Sequence, residues 1–175
     1  MKEILLTKGM VAIVDDEDYK WVSEWKWHVY ENRGNYYAAR RKRGVRTIGR
    51  STIFMHREIV IRNFGKIDDG MHTDHANGNG LDNRKSNLRI CTPAQNQYNS
   101  RVRAGGTSKY KGVLWRRERG KWISVLRISG KHIHLGTFTN EIDAAIAYDS
   151  AAIKYFGEFA RTNFDIKQYL EKTNG

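Results

Sequence analysis

MHTDHANGNGLDNRKSNLRICTPAQNQ, residues 71–97, runs from a segment short enough for a strand, through a loop of turn-forming residues, into a proline-initiated helix. In a strand the adjacent side chains of Asp74 and His75 point to opposite faces unless the backbone twists or bulges there. Gly78, Asn79 and Gly80 are the residues tight turns use, so composition alone accounts for the loop as a bend. A calcium loop is excluded, because the position where a bidentate glutamate is needed is Lys85. Thr92 is a good N-cap residue with Pro93 behind it at the first helical position, which makes TPAQNQYNS a short helix. Such a helix can bring Asn96 back across the strand, gathering a carboxylate oxygen, an amide oxygen and an imidazole around one point. A few hard oxygen donors, with water completing the shell, suit Mg²⁺ or Mn²⁺ and leave room for phosphate oxygens. A histidine of ordinary pKa, about 6.5, can take a proton from a water attacking there.

The rest of the chain gives that chemistry a setting. Its 175 residues, 39% hydrophobic with 5 Trp, 9 Tyr and 6 Phe, suffice for one ordinary domain or two small ones. Lys and Arg number 31 against 19 Asp and Glu; the net charge of +12 points to a polyanionic partner, nucleic acid first and an anionic membrane surface second. The single Cys91 excludes an internal disulfide and a paired-cysteine zinc site, and fits a reducing interior. MKEILLTKG lacks a signal-peptide pattern and no apolar run approaches membrane-spanning length, so a soluble cytoplasmic protein with no membrane partner is expected.

Upstream, GMVAIV, EWKWHVY and NYYAAR are β-favouring runs, and ENRGN carries turn chemistry. AARRKRGVRTIGR then places Arg40, Arg41, Lys42, Arg43, Arg46 and Arg50 close together, either as a solvated surface or as a basic hairpin for phosphate and groove contacts. Residues 1–51 thus read as a small antiparallel sheet with a basic hairpin. MHREIVIRNFG has the apolar spacing of a short helix ended by Gly65. Residues 101–109, RVRAGGTSK, have linker composition. Beyond them YKGVLWRR, KWISVLRI and KHIHLGTF are strand-like runs separated by RERG and SGK. NEIDAAIAYDSAAIKYFG follows with Asn140 as N-cap and a small-residue face of Ala144, Ala145, Tyr148, Ala151, Ala152 and Tyr155. The expected fold class is α+β, with a second domain over residues 108–165 of three strands and one helix.

MHREI followed by TDHANGNGLDNRKSNLRICTPAQNQ resembles the HNH endonuclease family over about residues 52–100, in particular its phage and intron-encoded branch, where asparagine replaces the last histidine. The resemblance implies a ββα-metal core over residues 52–105, with Asp74 and Asn96 holding one divalent ion and His75 as the general base. It implies that Asn87 braces the loop and orients the histidine, with Asn83 as a second candidate. His56 and His72 are expected to be structural, with the alternative that His56, in MHRE, borders the site. Products with 5′-phosphate and 3′-hydroxyl ends are implied.

YKGV, KWISVLR, HLGTF, DAAIAYDSAA and GEFARTNF, between Tyr110 and Phe164, are similar to the plant ethylene-response-factor (Apetala-type) DNA-binding domain. That family packs a three-stranded antiparallel sheet on one helix and docks the sheet into the major groove. Alternation turns Val113, Trp115, Trp122, Ser124, Leu126, Ile133 and Leu135 towards the helix. It turns Leu114, Arg116, Val125, Arg127, His132 and His134 outwards. Arg116 and Arg127 fall on family contact positions; Arg117, Arg119, Lys121 and Lys131 are phosphate contacts or solvated. Leu114, Val125, the two histidines and the longer RRERG turn depart from the plant pattern, so the plant target does not transfer. Together the two resemblances imply a DNA endonuclease of the homing or mobile-element kind, acting on double-stranded DNA in a bacterial or phage-infected cytoplasm. The alternative is a DNA-binding regulator whose nuclease centre has decayed. One such centre cuts one strand, which leaves monomer and dimer both open.

Overall fold

The structure, a computed structural model, describes residues 1–42, 52–102 and 105–165. Helix and sheet are mixed, as the α+β expectation requires, and the chain divides into two units, residues 1–96 and 97–175.

In the first unit β1 (Lys2–Leu5) pairs antiparallel with β2 (Val11–Val14), and α1 (Asp16–Val22) follows directly. The sequence reading had only strands here. Asp16, Glu17 and Asp18 open the helix, where acids complement the positive end of the helix dipole, while Asp18 and Val22 are its buried residues. Seven residues are too few for a periodic signal to stand out from the flanking strands. Next come β3 (His28–Asn32), β4 (Asn35–Arg41) and β5 (Thr52–Phe54), an antiparallel sheet in that order. Arg33 and Gly34 make the β3–β4 turn with φ of 50° and 76°, so Gly34 holds a conformation that costs other residues strain. The basic hairpin expected between β4 and β5 is described only as far as Lys42; Arg43, Arg46 and Arg50 lie outside the described residues.

Helix α2 (Met55–Phe64) sends Met55, Ile59 and Val60 into a core shared with Val14, Val22, Trp27, Ala38 and Leu88. Each of the large aliphatic side chains among them, Met55, Ile59, Val60, Val14 and Val22, stabilises by roughly 1.5–3 kcal/mol, and Ile59→Ala would break the packing most simply. Gly65, with φ of 90°, ends the helix where the sequence placed its stop. The unit closes with β6 (His72–His75), paired antiparallel with β7 (Leu88–Cys91), and the first residues of α3 (Pro93–Tyr98), as far as Asn96. Thr92 Oγ1 accepts from Gln95 N at 3.2 Å while Gln95 Oε1 accepts from Thr92 N at 2.8 Å, a reciprocal cap that starts α3 as the sequence indicated.

The second unit contains β8 (Val113–Arg116), β9 (Lys121–Ile128) and β10 (Lys131–Phe138), antiparallel with β9 central, and then α4 (Glu141–Phe156). Asn140 Oδ1 accepts from Ile142 N at 2.8 Å and caps α4. Ala144, Ala145, Tyr148 and Ala152 are buried, so small side chains bring the helix close against the sheet. Gly112, with φ of 76°, passes so near the Tyr148 ring that an added Cβ would lie 1.9 Å from it. Asp149 accepts from the backbone N–H groups of Asn163 and Phe164 and pins the segment after the helix. Among the described residues no helix is long and apolar enough to cross a membrane.

Candidate functional site

The β6–β7 ribbon keeps regular register through the residues of interest, with Asp74 opposite Arg89 and His75 opposite Leu88. No bulge intervenes, so the carboxylate and the imidazole leave the two-strand ribbon on opposite faces. Asp74 shares its face with His72, whose Nδ1 lies 3.2 Å from Asn96 Nδ2. The two expected oxygen donors, on β6 and α3, therefore belong to the same side of the ribbon. Asp74 Oδ2 accepts from Arg89 Nη2 at 2.7 Å and from Arg89 Nε at 3.0 Å, a pair that is largely buried.

His75 is buried on the other face, its ring edge-on to His56 with centroids 4.9 Å apart and tilted against Tyr37 at 6.1 Å. Its Nε2 lies 3.3 Å from Asn83 Oδ1. Assigned as Nε2–H donating to that oxygen, the neutral ring carries its lone pair on Nδ1. Burial lowers the His75 pKa from the ordinary histidine value; the Asn83 hydrogen bond and the charges of Asp74 and Asp82 oppose that without cancelling it. His56 lies well below the ordinary value, chiefly through burial and then through the nearby His75 and Arg57. Both rings are therefore neutral at neutral pH.

The intervening loop is held from three directions. Asn87 Oδ1 accepts from Asn77 N at 2.9 Å, and Asn87 Nδ2 donates to Asp82 O at 2.7 Å. Asp82 takes two hydrogen bonds from the Arg84 guanidinium, at 2.7 and 2.6 Å, and accepts from Asn77 Nδ2 at 2.9 Å. Arg84 holds the Asp82 carboxyl below its usual range. Ile13 N donates to Leu81 O, Asn83 N donates to Ile13 O, and Lys85 N donates to Asp15 Oδ2. Strand β2 and the start of α1 thus fix the loop that carries Asn83. Gly80 passes against Tyr37, where an added Cβ would meet the ring at 2.6 Å. A cleft of about 400 Å³ opens beside the ribbon, lined by His56, Arg57, His72, Thr73 and Asn96 with Tyr37 and Phe54 among its walls.

Among the described residues no three His, Cys, Asp or Glu side chains gather as a protein-only metal cage. The donors expected from the sequence are one carboxylate, Asp74, and one amide, Asn96. That set fits a hydrated hard cation whose shell is completed by water and by substrate oxygens, and does not fit structural zinc.

In the second unit the three-strand register sorts the sheet into two faces. Val113, Ser124 and Gly136 stand in one cross-strand row, and Trp115, Trp122 and Phe138 in another, both towards α4. Leu126 and Ile133 share that face. The outer face carries the row Leu114, Ile123 and Thr137, and the pairs Arg116 with Lys121, Val125 with His134, and Arg127 with His132. The register shifts at Leu135, between His134 and Gly136. Arg116, Arg119, Arg127, His132 and His134 are all exposed, and His134 Nε2 lies 3.3 Å from Thr137 Oγ1.

Residues 54–98 match the family model of the HNH endonucleases. That segment contains the whole HNH-like ribbon, loop and α3. The ethylene-response-factor-like region matches curated plant proteins over 66 to 70 residues. An AP2-like ethylene-responsive transcription factor of Arabidopsis thaliana is 48% identical over 38% of this chain and 20% of its own length. Ethylene-responsive transcription factor WRI1 of Arabidopsis thaliana is 45% identical over 38% of this chain and 16% of its own. AP2-like ethylene-responsive transcription factor CRL5 of Oryza sativa subsp. japonica is 48% identical over 37% and 10%. The chain therefore spans a fifth or less of these relatives.

Within the HNH segment the structure adds one partner that sequence reasoning did not name, Arg89, and places two that it did, Asn83 and His56. Arg89 engages Asp74, and only strand register could have revealed it. Asn83 reaches the imidazole, whereas Asn87 bonds to loop backbone. His56 packs on His75. Outside the segment, Arg40 is paired with Glu58 at 2.9 Å and lies over the Trp25 ring, its side chain 12% exposed, while Arg41 and Lys42 are exposed. On the second sheet, Ile123 and Thr137 join the outer face; period-two alternation along β9 and β10 would have placed Ile123 there, and the bulge hid Thr137.

Proposed function

We propose that the protein is a metal-dependent DNA endonuclease of the homing or mobile-element kind, cutting at the β6–β7–α3 site and held on double-stranded DNA by its C-terminal sheet. The observation that carries this reading is His75: a buried imidazole whose pKa burial lowers, next in sequence to Asp74 on β6 and in contact with Asn83, inside the segment that matches the HNH endonucleases. Asp74 and Asn96 would hold one Mg²⁺ or Mn²⁺. Bound there, the ion supplies charge stabilisation for the scissile phosphate and the leaving 3′ oxygen.

The protein's own groups do the rest. His75 takes the proton of the attacking water. Burial keeps the ring deprotonated beforehand, and Asn83, Asp74 and Asp82 favour the imidazolium once the proton arrives. Asn87 fixes the loop so that Asn83 keeps the ring in place. Arg89 orients the Asp74 carboxylate. The products carry 5′-phosphate and 3′-hydroxyl ends. On the C-terminal sheet the exposed Arg116, Arg119, Arg127, His132 and His134 meet DNA, with Arg able to pair with guanine edges or clamp phosphate.

A second reading, a DNA-binding regulator without nuclease activity, is favoured by the similarity of the C-terminal region to plant transcription factors. Incubation with supercoiled plasmid separates the two. Nicked or linear product with Mg²⁺ and none with chelator is expected of the endonuclease; binding with neither product would establish the regulator.

A further inference from the structure

The outer face of the C-terminal sheet is cationic at its ends and apolar in between. Arg116 and Lys121 are opposed at one end, Arg127 and His132 at the other. Between them run Leu114, Ile123 and Thr137, register partners across all three strands, and beside them Val125. Leu114 is 44% exposed although it sits among charged residues, whereas its row neighbour Ile123 is largely buried at 9% and lines the floor of the row. A cleft of about 460 Å³ lies over this row, bordered by Arg116, Arg119, Ile123, His134 and Thr137, with the Glu118 carboxylate at its rim.

A face that only followed phosphates would place cations or hydroxyls in these central positions. Leu114, Ile123 and Val125 can neither donate nor accept a hydrogen bond, so they cannot read the polar edges of bases. The apolar group that the major groove does offer is the C5-methyl of thymine. The flanking arginines match the charge of the duplex and can reach phosphate or guanine on either side of the apolar row.

We infer that the exposed Leu114, backed by the largely buried Ile123 and with the half-buried Val125 beside it, is a specificity-determining apolar patch that selects duplex sites by the 5-methyl groups of thymine in the major groove. This rests on the reading that the outer face docks on DNA. Thr137 contributes its methyl at one end of the row, and Val125 takes the next base step along β9. Removal of a contacted methyl returns an apolar surface of about one carbon to water on both partners, which weakens binding by about fourfold per methyl.

The test uses the full chain with chelator present, so that binding is read without cleavage. Preferred sites are selected from a random duplex pool, and the selected site is then synthesised with uracil in place of each thymine in turn. Selected sites rich in thymine, uracil penalties of about fourfold at two or three positions, and loss of those penalties in Leu114→Ala, are expected. Thymine-to-uracil exchange changes nothing else in the pairing of the base, so the penalty reports the methyl alone. Equal affinity for thymine and uracil duplexes would overturn the inference while leaving DNA docking intact. Failure to bind any duplex at low salt would overturn both. Leu114 is exposed, so its truncation leaves the fold unaffected; a shifted unfolding midpoint for the second unit would mark the loss as structural and overturn the assignment to Leu114.

Discussion

Replacing Asn87 with alanine tests how the loop holds the histidine. The wild-type side chain is buried and makes two hydrogen bonds to backbone, from Asn77 N at 2.9 Å and to Asp82 O at 2.7 Å. Alanine removes both partners' bonds without supplying water in their place. Each backbone group so deprived costs roughly 1–2 kcal/mol, and the sum, about 2–4 kcal/mol, is a large share of the ~5–15 kcal/mol that stabilises an ordinary domain. For a unit of about this size a midpoint shift of roughly 8–30 °C follows. Tryptophan fluorescence during thermal unfolding reads it, because Trp21, Trp25 and Trp27 lie in the first unit. Asn87→Asp is close in shape, keeps an acceptor for Asn77 N–H, and cannot donate to Asp82 O. It should fall at least as far as alanine, since a carboxylate must then be buried against a carbonyl. If Asn87→Asp unfolds at the wild-type temperature, the donation to Asp82 contributes nothing and the brace is misassigned.

Other outcomes follow from the same contacts. His56 and His75 are both held below the ordinary histidine pKa of about 6.5 by burial. Between that value and the folded values the unfolded chain binds protons that the folded chain does not. Stability is therefore full above pH 6.5 and falls as pH drops below it, by up to about 1.4 kcal/mol per pH unit for each histidine. Urea titrations in chelator from pH 7.5 to 5 read this as a falling midpoint, and a flat profile would mean the rings are not kept neutral by the fold. Gly112→Ala sets a Cβ 1.9 Å from the Tyr148 ring at φ of 76°, and should cost the second unit roughly 2–4 kcal/mol by overpacking and strain. Hydrogen exchange of the β9 amides would show it, whereas the first unit's unfolding stays unchanged.

The sequence announced some of this architecture and concealed the rest for definite reasons. Thr92, Pro93, Asn140 and Gly65 are local signals whose effect is complete within one turn of helix, and α2, α3 and α4 begin or end where those residues stand. The three C-terminal strands were legible because each alternates over seven or eight residues or is bounded by a glycine turn. Helix α1 was not, since its seven residues sit between strands and bury only one apolar side chain. The candidate site divides in the same way. Asp74, His75, Asn87 and Asn96 were visible as residue types at family spacing. Their neighbours were not, because Arg89 meets Asp74 through strand pairing, and Ile13 and Asp15 hold the loop from about seventy residues away. Arg40 shows the converse: read as part of a basic patch, it is engaged by Glu58, eighteen residues on, and by two tryptophans. Contacts that depend on tertiary closure leave no mark in local composition.

The proposed role of His75 is tested most directly by comparing the wild-type chain with His75→Ala on one labelled duplex, under single-turnover conditions with Mg²⁺, with binding of the same duplex read in parallel by gel shift. Loss of cleavage by several orders of magnitude, with affinity within a few-fold of wild type, is the predicted result. Cleavage by His75→Ala at the wild-type rate would contradict it.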